Sequence, residues 1–295
     1  MSAVYGPALP TELADTPVGQ PVSLRRLLRT YPRVAVASAL LLLLVLVTAL
    51  APWIALHDPI ATDASNALLG PSGAHPLGTD ELGRDLFARV IWGSRVSLPV
   101  AFVAVAVGLL VGGAIGLAAG YLGGPTDLLL MRVVDAILAF PALILAIAIV
   151  AVLGPGLRNA MIAIGIVQIP VYARLMRAQV LTLKSLDFVA AVRALGASPA
   201  RLIIYHFVPN LLNPLIVQIS LSAAAAMLAE ATLSFLGLGA QPPTPDWGFM
   251  LYTGARYLNN DPWLALGPGV AVSVAVFAFN WLGDALRDAL DPRLR

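Results

Sequence analysis

The chain has 295 residues, of which 59% are hydrophobic and 12% charged, with a net charge of +2. Soluble domains carry about 25% charged and about 45–50% apolar residues, so the composition excludes an ordinary soluble domain and points to a lipid bilayer. The absence of cysteine excludes disulfides, thiolate metal sites and cysteine nucleophiles.

Residues 1–33 are polar and proline-rich (Pro7, Pro10, Pro17, Pro21) and are expected to form a mobile tail. The apolar run 34–56 is longer than the roughly 7–15 residues of a signal-peptide core, and is read as a retained first span. Residues 57–95 form a loop that opens with the turn formers Asp58-Pro59 and Gly70-Pro71-Ser72-Gly73. Thr79 and Asp80 are good N-caps for the apolar residues Leu82, Leu86, Val90 and Ile91. They predict an amphipathic helix over 80–93, lying on the membrane surface or solvated within the loop.

Five further apolar runs, 96–120, 128–153, 159–182, 208–237 and 264–284, are each long enough to cross about 30 Å of hydrocarbon. Run 96–120 carries Gly108, Gly112, Gly116 and Gly120 at four-residue steps. This bare face invites close packing by a neighbour, either within this chain or from a partner. Asp135, Gln168, Gln218 and Glu230 are the polar groups inside spans, where such groups face a bundle interior or a water-filled path. Asp135 is also placed to pair with Arg132 or Arg174. Pro141 and Pro170 are expected to kink their helices.

Continuous apolar runs favour helices over a barrel of alternating strands. The fold class is therefore all-α: a polytopic membrane protein with six transmembrane helices. Placing both ends inside gives thirteen basic residues in the cytoplasm against five outside (Arg84, Arg89, Arg95, Arg158, Arg256), which favours N-in, C-in topology. The charged island 184–210, with Lys184, Arg193 and Arg201 and a break at Gly196-Ala-Ser-Pro199, then lies inside. It is expected to be a docking surface for a soluble partner. The core is read as 96–290, five helices carrying this loop.

Enzyme chemistry has no residues to rest on. A nucleotide-binding P-loop needs Gly-Lys-Ser/Thr, and the single lysine, Lys184, follows Leu183. His57, His75 and His206 divide between the two sides, so no three-histidine metal site is expected. No G-x-S-x-G elbow is present.

Several motifs resemble one family. Ala190-Ala191-Val192, Gly196 and His206-Phe207-Val208-Pro209 resemble the cytoplasmic E-A-A-x3-G-x9-I-x-L-P loop of bacterial ATP-binding-cassette importer permeases. Here Ala190 replaces the acid, and His206 and Val208 replace Ile and Leu. His75-Pro-Leu-Gly-Thr-Asp-Glu-Leu-Gly-Arg-Asp-Leu86, Val134-Asp-Ala-Ile-Leu-Ala-Phe-Pro141, Glu230-Ala-Thr-Leu-Ser-Phe-Leu-Gly-Leu-Gly239, Pro245-Asp-Trp-Gly248 and the terminal Asp291-Pro-Arg-Leu-Arg295 are similar to segments of the C-type permease of dipeptide, oligopeptide and nickel importers.

The resemblance implies an inner-membrane permease that forms half of a translocation pathway for peptides or similar small solutes. It implies a second homologous permease, two ATPase subunits that hold ATP and Mg, and an extracytoplasmic solute-binding protein. No cofactor is expected on this chain. Ala190, Ala191, Arg193, Gly196, Arg201 and Pro209 would form the coupling surface. An ion-coupled secondary transporter and a non-transporting scaffold are the alternatives. The first would favour an inverted repeat, and none is evident.

Overall fold

The computed structural model describes residues 29–290. The expected tail over 1–28 and the Asp291–Arg295 motif lie outside the described residues. Nine helices organise the described chain: α1 (Pro32–Ala49), α2 (Leu86–Leu122), α3 (Gly124–Leu138), α4 (Ala142–Leu153), α5 (Leu157–Lys184), α6 (Asp187–Ala194), α7 (Pro199–Phe235), α8 (Trp247–Ala255) and α9 (Trp263–Leu290). A short helical turn, Ala51–Ile54, follows α1.

Five of these, α1, α2, α5, α7 and α9, are each long and apolar enough to cross a membrane alone. The expected span 128–153 is corrected: it is two helices, α3 and α4, meeting at 88°. The cause is Pro141, which has no N–H to donate and disfavours helical geometry at the residue before it. The two ends of the pair lie at opposite ends of the bundle. Gly124 follows the end of α2, while Gly156, just past α4, donates its N–H to Leu238 O (3.1 Å) beyond the far end of α7. With the bent pair taken as one span the bundle has up to six crossings, and the start of α1 packs against the end of α9. Pro170 produces no break, since α5 runs through it from Leu157 to Lys184.

The predicted surface helix over 80–93 is also corrected. Helix α2 starts only at Leu86, where Asp85 Oδ2 accepts the N–H of Ala88 (2.7 Å), and it continues directly into the membrane run. Asp80 is occupied elsewhere: it accepts from the backbone of Leu82 and Arg84 and from Arg84 Nε (2.6 Å), with Arg89 Nε at 3.3 Å. Arg89 also donates to Pro59 O (2.8 Å). Leu86, Ala88 and Arg89 are buried in the protein rather than laid on its surface. Arg84 and Arg89, two of the five basic residues counted outside, thus share the Asp80 carboxylate in a buried ion cluster.

The glycine face of α2 packs on α5, which settles its neighbour as one within this chain. A Cβ at Gly108 would lie 2.7 Å from Gln168 Cβ, and one at Gly120 2.9 Å from Val180 Cβ. At Gly112 and Gly116 it would enter the carbonyls of Ile169 and Ala173. With no hydrophobic drive between helices in lipid, this close backbone approach supplies the dispersion contact that joins them. The main core, with Val100, Ala104, Ile164, Tyr172, Met227 and Phe279, joins α2, α5, α7 and α9. Side chains such as Leu42, Leu43, Leu128, Leu129 and Phe277 point outward, as a lipid-facing surface requires.

Candidate functional site

The 184–210 segment folds as a helical elbow on a fixed base. Lys184 closes α5 and donates Nζ to Tyr121 O (2.9 Å) and Gly120 O (3.2 Å), the free carbonyls at the end of α2. Cations suit that position, because the last carbonyls of a helix carry its negative dipole end. Helix α6 is amphipathic. Val189 is buried among Val180, Leu183, Leu202, Phe207 and Leu211, while Phe188 and Val192 pack at the edge of this cluster. Ala190, Ala191 and Arg193 occupy the exposed face.

Gly196 ends α6. Its φ of +81° is a left-handed conformation that glycine adopts without steric cost. Gly196 N–H donates to Arg193 O (2.9 Å) and Ala197 N–H to Val192 O (3.3 Å), the paired bonds of a Schellman cap. Ser198 Oγ then accepts the N–H of Arg201 (3.3 Å), and Pro199 occupies the first turn of α7. One residue later than the cap's last helical position, Leu195 is 86% exposed. Arg201, Ile204 and Tyr205, early in α7, are exposed as well. Arg193 lies 5.8 Å from the centroid of the Tyr121 ring, which in turn packs edge-on to Phe207 (6.0 Å). Pro209 is exposed in α7, just after a π-helical turn, Ile203–Phe207. Ala190, Ala191, Arg193, Gly196 and Arg201 thus all lie exposed on one elbow, whose turn carries the exposed Leu195.

The other polar positions are dispersed. Asp135 accepts from Arg174 Nη2 (2.8 Å), one of the two partners expected for it, and both side chains are about half exposed. Arg177 makes a two-pronged pair with Asp127 (2.5 and 2.7 Å), joining α5 to α3. Gln168 donates to Ser222 O (3.0 Å) and ties α5 to α7, while Gln218 donates to Ser222 Oγ (3.0 Å). Glu230 sits five residues before the end of α7 rather than deep in the span. It is 1% exposed and neither carboxylate oxygen has a hydrogen-bond partner. Its polar neighbours are Asp246 and Ser97. Trp247, which opens α8, donates Nε1 to Val90 O (2.8 Å) and closes this corner.

Sequence reasoning missed the Asp80–Arg84–Arg89 cluster, the Asp127–Arg177 pair and helix α8. The Asp246-Trp-Gly run, an N-cap before an apolar stretch, signals the last of these, and Asp246 Oδ1 does accept from Phe249 N–H (2.9 Å).

Five single apolar helices, a bent sixth pair and an exposed elbow at one end mark a polytopic helical membrane protein. Residues 112–295 match the family described as the binding-protein-dependent transport system inner membrane component. The chain belongs to that family and is an inner-membrane permease of an ABC importer. It is 46% identical to the dipeptide transport system permease protein DppC of Alkalihalophilus pseudofirmus, over 85% of this chain and 83% of that protein. It is 46% identical to the di/tripeptide transport system permease protein DppC of Pseudomonas aeruginosa, over 88% of each. It is 42% identical to the glutathione transport system permease protein GsiD of Pectobacterium atrosepticum, over 92% of this chain and 90% of that one. Its fold is similar to a chain of the MetNI methionine ABC transporter in an inward-facing conformation, with a TM-score of 0.56 and 19% identity. That match covers 68% of this chain and 96% of the other.

Proposed function

We propose that this permease passes short peptides across the inner membrane as one of two homologous permeases, and that the elbow at 184–210 couples it to a pair of cytoplasmic ATPases. The bundle is then oriented with the elbow and both ends in the cytoplasm, and the 57–85 cap outside, facing a solute-binding protein. ATP and Mg belong to the partner subunits, and this chain supplies no catalytic group.

The observation that carries the coupling role is the elbow's construction. A short lever with an exposed apolar tip at Leu195 is anchored through Val189, Leu202 and Phe207 to the ends of α5 and α7. A push on the tip therefore reaches two spans without being absorbed by a loose loop. Arg193 and Arg201 can meet acidic side chains on the ATPase surface, giving charge-assisted bonds with directional preference. The peptide reading rests on the three relatives named above, which are named for dipeptide, di/tripeptide and glutathione transport. Their common chemistry is a short peptide backbone.

The substrate class is tested by reconstituting the complete complex in proteoliposomes and following entry of a labelled dipeptide and a labelled glutathione. Uptake that requires ATP at the ATPase face and binding protein at the other is expected. Uptake driven by a proton or sodium gradient without ATP would contradict the proposal and restore the secondary-transporter reading.

A further inference from the structure

Three side chains of the segment between α1 and α2 converge at the end of the bundle opposite the elbow. His75 Nδ1 lies 2.8 Å from Asp85 Oδ1, and His57 Nδ1 lies 3.7 Å from the same oxygen. The two imidazole rings face each other at 4.9 Å between centroids, tilted by 33°. One ligand atom from each of the three lies within 4.8 Å of the other two. We propose that His57, His75 and Asp85 form a binding site for a first-row divalent metal ion such as Zn²⁺.

The geometry suits such an ion. Metal–ligand distances of about 2.0–2.2 Å in a tetrahedral site place donor atoms about 3.3 Å apart. The observed 2.8 and 3.7 Å to Asp85 fall on either side of that value, and with all three ligand atoms within 4.8 Å of one another the two rings need to draw together to close on an ion. Two imidazoles and one carboxylate match the donor preference of zinc and its first-row neighbours, and three ligands leave a position for water or a further ligand.

A partner that orients the carboxylate and a path from solvent are both present. Asp85 Oδ2 accepts the Ala88 N–H at the start of α2, so the ligating carboxylate is held in orientation by a helix it cannot leave. Side-chain exposure rises from 1% at Asp85 through 17% at His75 to 43% at His57. The carboxylate therefore forms the floor and His57 the mouth. His57 also lines an open cleft of about 770 Å³ with Asp58, Trp92, Arg95 and Pro245, which gives an ion a route from solvent.

A plain His75–Asp85 hydrogen bond accounts for the 2.8 Å contact but gives the second imidazole no role. A bound ion uses all three groups. It would tie the segment leaving α1 to the first turn of α2 and stiffen one wall of the cleft. The two-histidine, one-carboxylate set was not visible in sequence, where attention to histidine alone found three scattered residues.

The test is Zn²⁺ binding by the full-length chain in lipid nanodiscs, purified without a polyhistidine tag, stripped with a chelator and titrated in competition with a chromophoric chelator. One Zn²⁺ per chain is expected. Loss of one ligand should weaken binding at least as much as loss of an outer-shell partner, about tenfold or more, so His57→Ala, His75→Gln and Asp85→Asn should each show it. His206→Ala, at the other end of the bundle, should not. His57 is the decisive position, because it is half exposed and its replacement leaves the Asp85 helix cap intact. Absence of stoichiometric Zn²⁺ binding by the intact chain, or unchanged affinity in His57→Ala, would overturn the proposal and leave the cluster as a hydrogen-bonded helix cap.

Discussion

Gly116→Leu should prevent stable assembly of the bundle, and Gly116→Ala should already lower its thermal midpoint clearly. The added Cβ would enter the Ala173 carbonyl and approach Met176 Cβ to 2.8 Å. Backbone cannot move aside as a side-chain end can, so α2 and α5 must separate. Overpacking in a tight core costs about 1–3 kcal/mol for modest insertions, and separation also forfeits dispersion contacts along the helix pair. Gly112→Ala should behave in the same way, against Ile169 O. The adjacent Gly113→Ala is the control. Its Cβ would meet Met176 Cγ at 3.8 Å, an ordinary contact, and the midpoint should stay near that of the parent protein. Thermal aggregation of the detergent-purified protein, followed by size-exclusion chromatography, reads all four variants. Equal midpoints for Gly113→Ala and Gly116→Ala would show that the α2–α5 contact is not what the glycine face provides.

Gly196→Leu should abolish transport while leaving the six crossings inserted. The space around Gly196 is open, with nothing within 4 Å of an added Cβ, so a clash is not the mechanism. The backbone is. At φ +81° a residue with a side chain pays roughly 1–2 kcal/mol, and it relieves that strain by giving up the cap that turns α6 into Ser198. The elbow then changes direction and its tip at Leu195 moves. Asn tolerates the left-handed region better than other side chains, so Gly196→Asn should retain most uptake and Gly196→Leu little. Peptide uptake by the reconstituted complex, with ATPase rate measured in parallel, checks this. Normal uptake by a correctly inserted Gly196→Leu protein would remove the elbow's geometry from the mechanism.

Much of the bundle was legible because lipid imposes a simple rule. Long continuous apolar runs must be helices, and five of the six expected crossings are single helices in the structure. The sixth shows where hydropathy stops informing. A window average cannot distinguish a straight helix from two that meet at 88°, and the proline that marks the break resembles Pro170, which breaks nothing. The difference lies in the neighbours each helix finds, which no local pattern records. The start of α2 illustrates competition between caps. Asp80 and Asp85 are both sound N-cap residues, and Asp85 holds that role because Asp80 is taken by Arg84 and Arg89. The elbow was visible through its punctuation: Gly196, Ser198 and Pro199 each sit where their backbone chemistry requires. Its anchoring by Lys184 on the α2 carbonyls and by Tyr121 under Arg193 depends on contacts across more than sixty residues, and had no signal in the sequence.

The account rests most directly on the elbow being the contact for ATPases. The decisive measurement is recovery of the tagged chain from its native membrane in lipid-preserving polymer discs, with bound proteins identified by mass spectrometry. The intact chain should bring down a second permease and ATPase subunits. The Arg193→Glu/Arg201→Glu variant should keep the second permease and lose the ATPases. ATPases retained in full by the variant, or a chain recovered with no ATPase at all, would contradict the account.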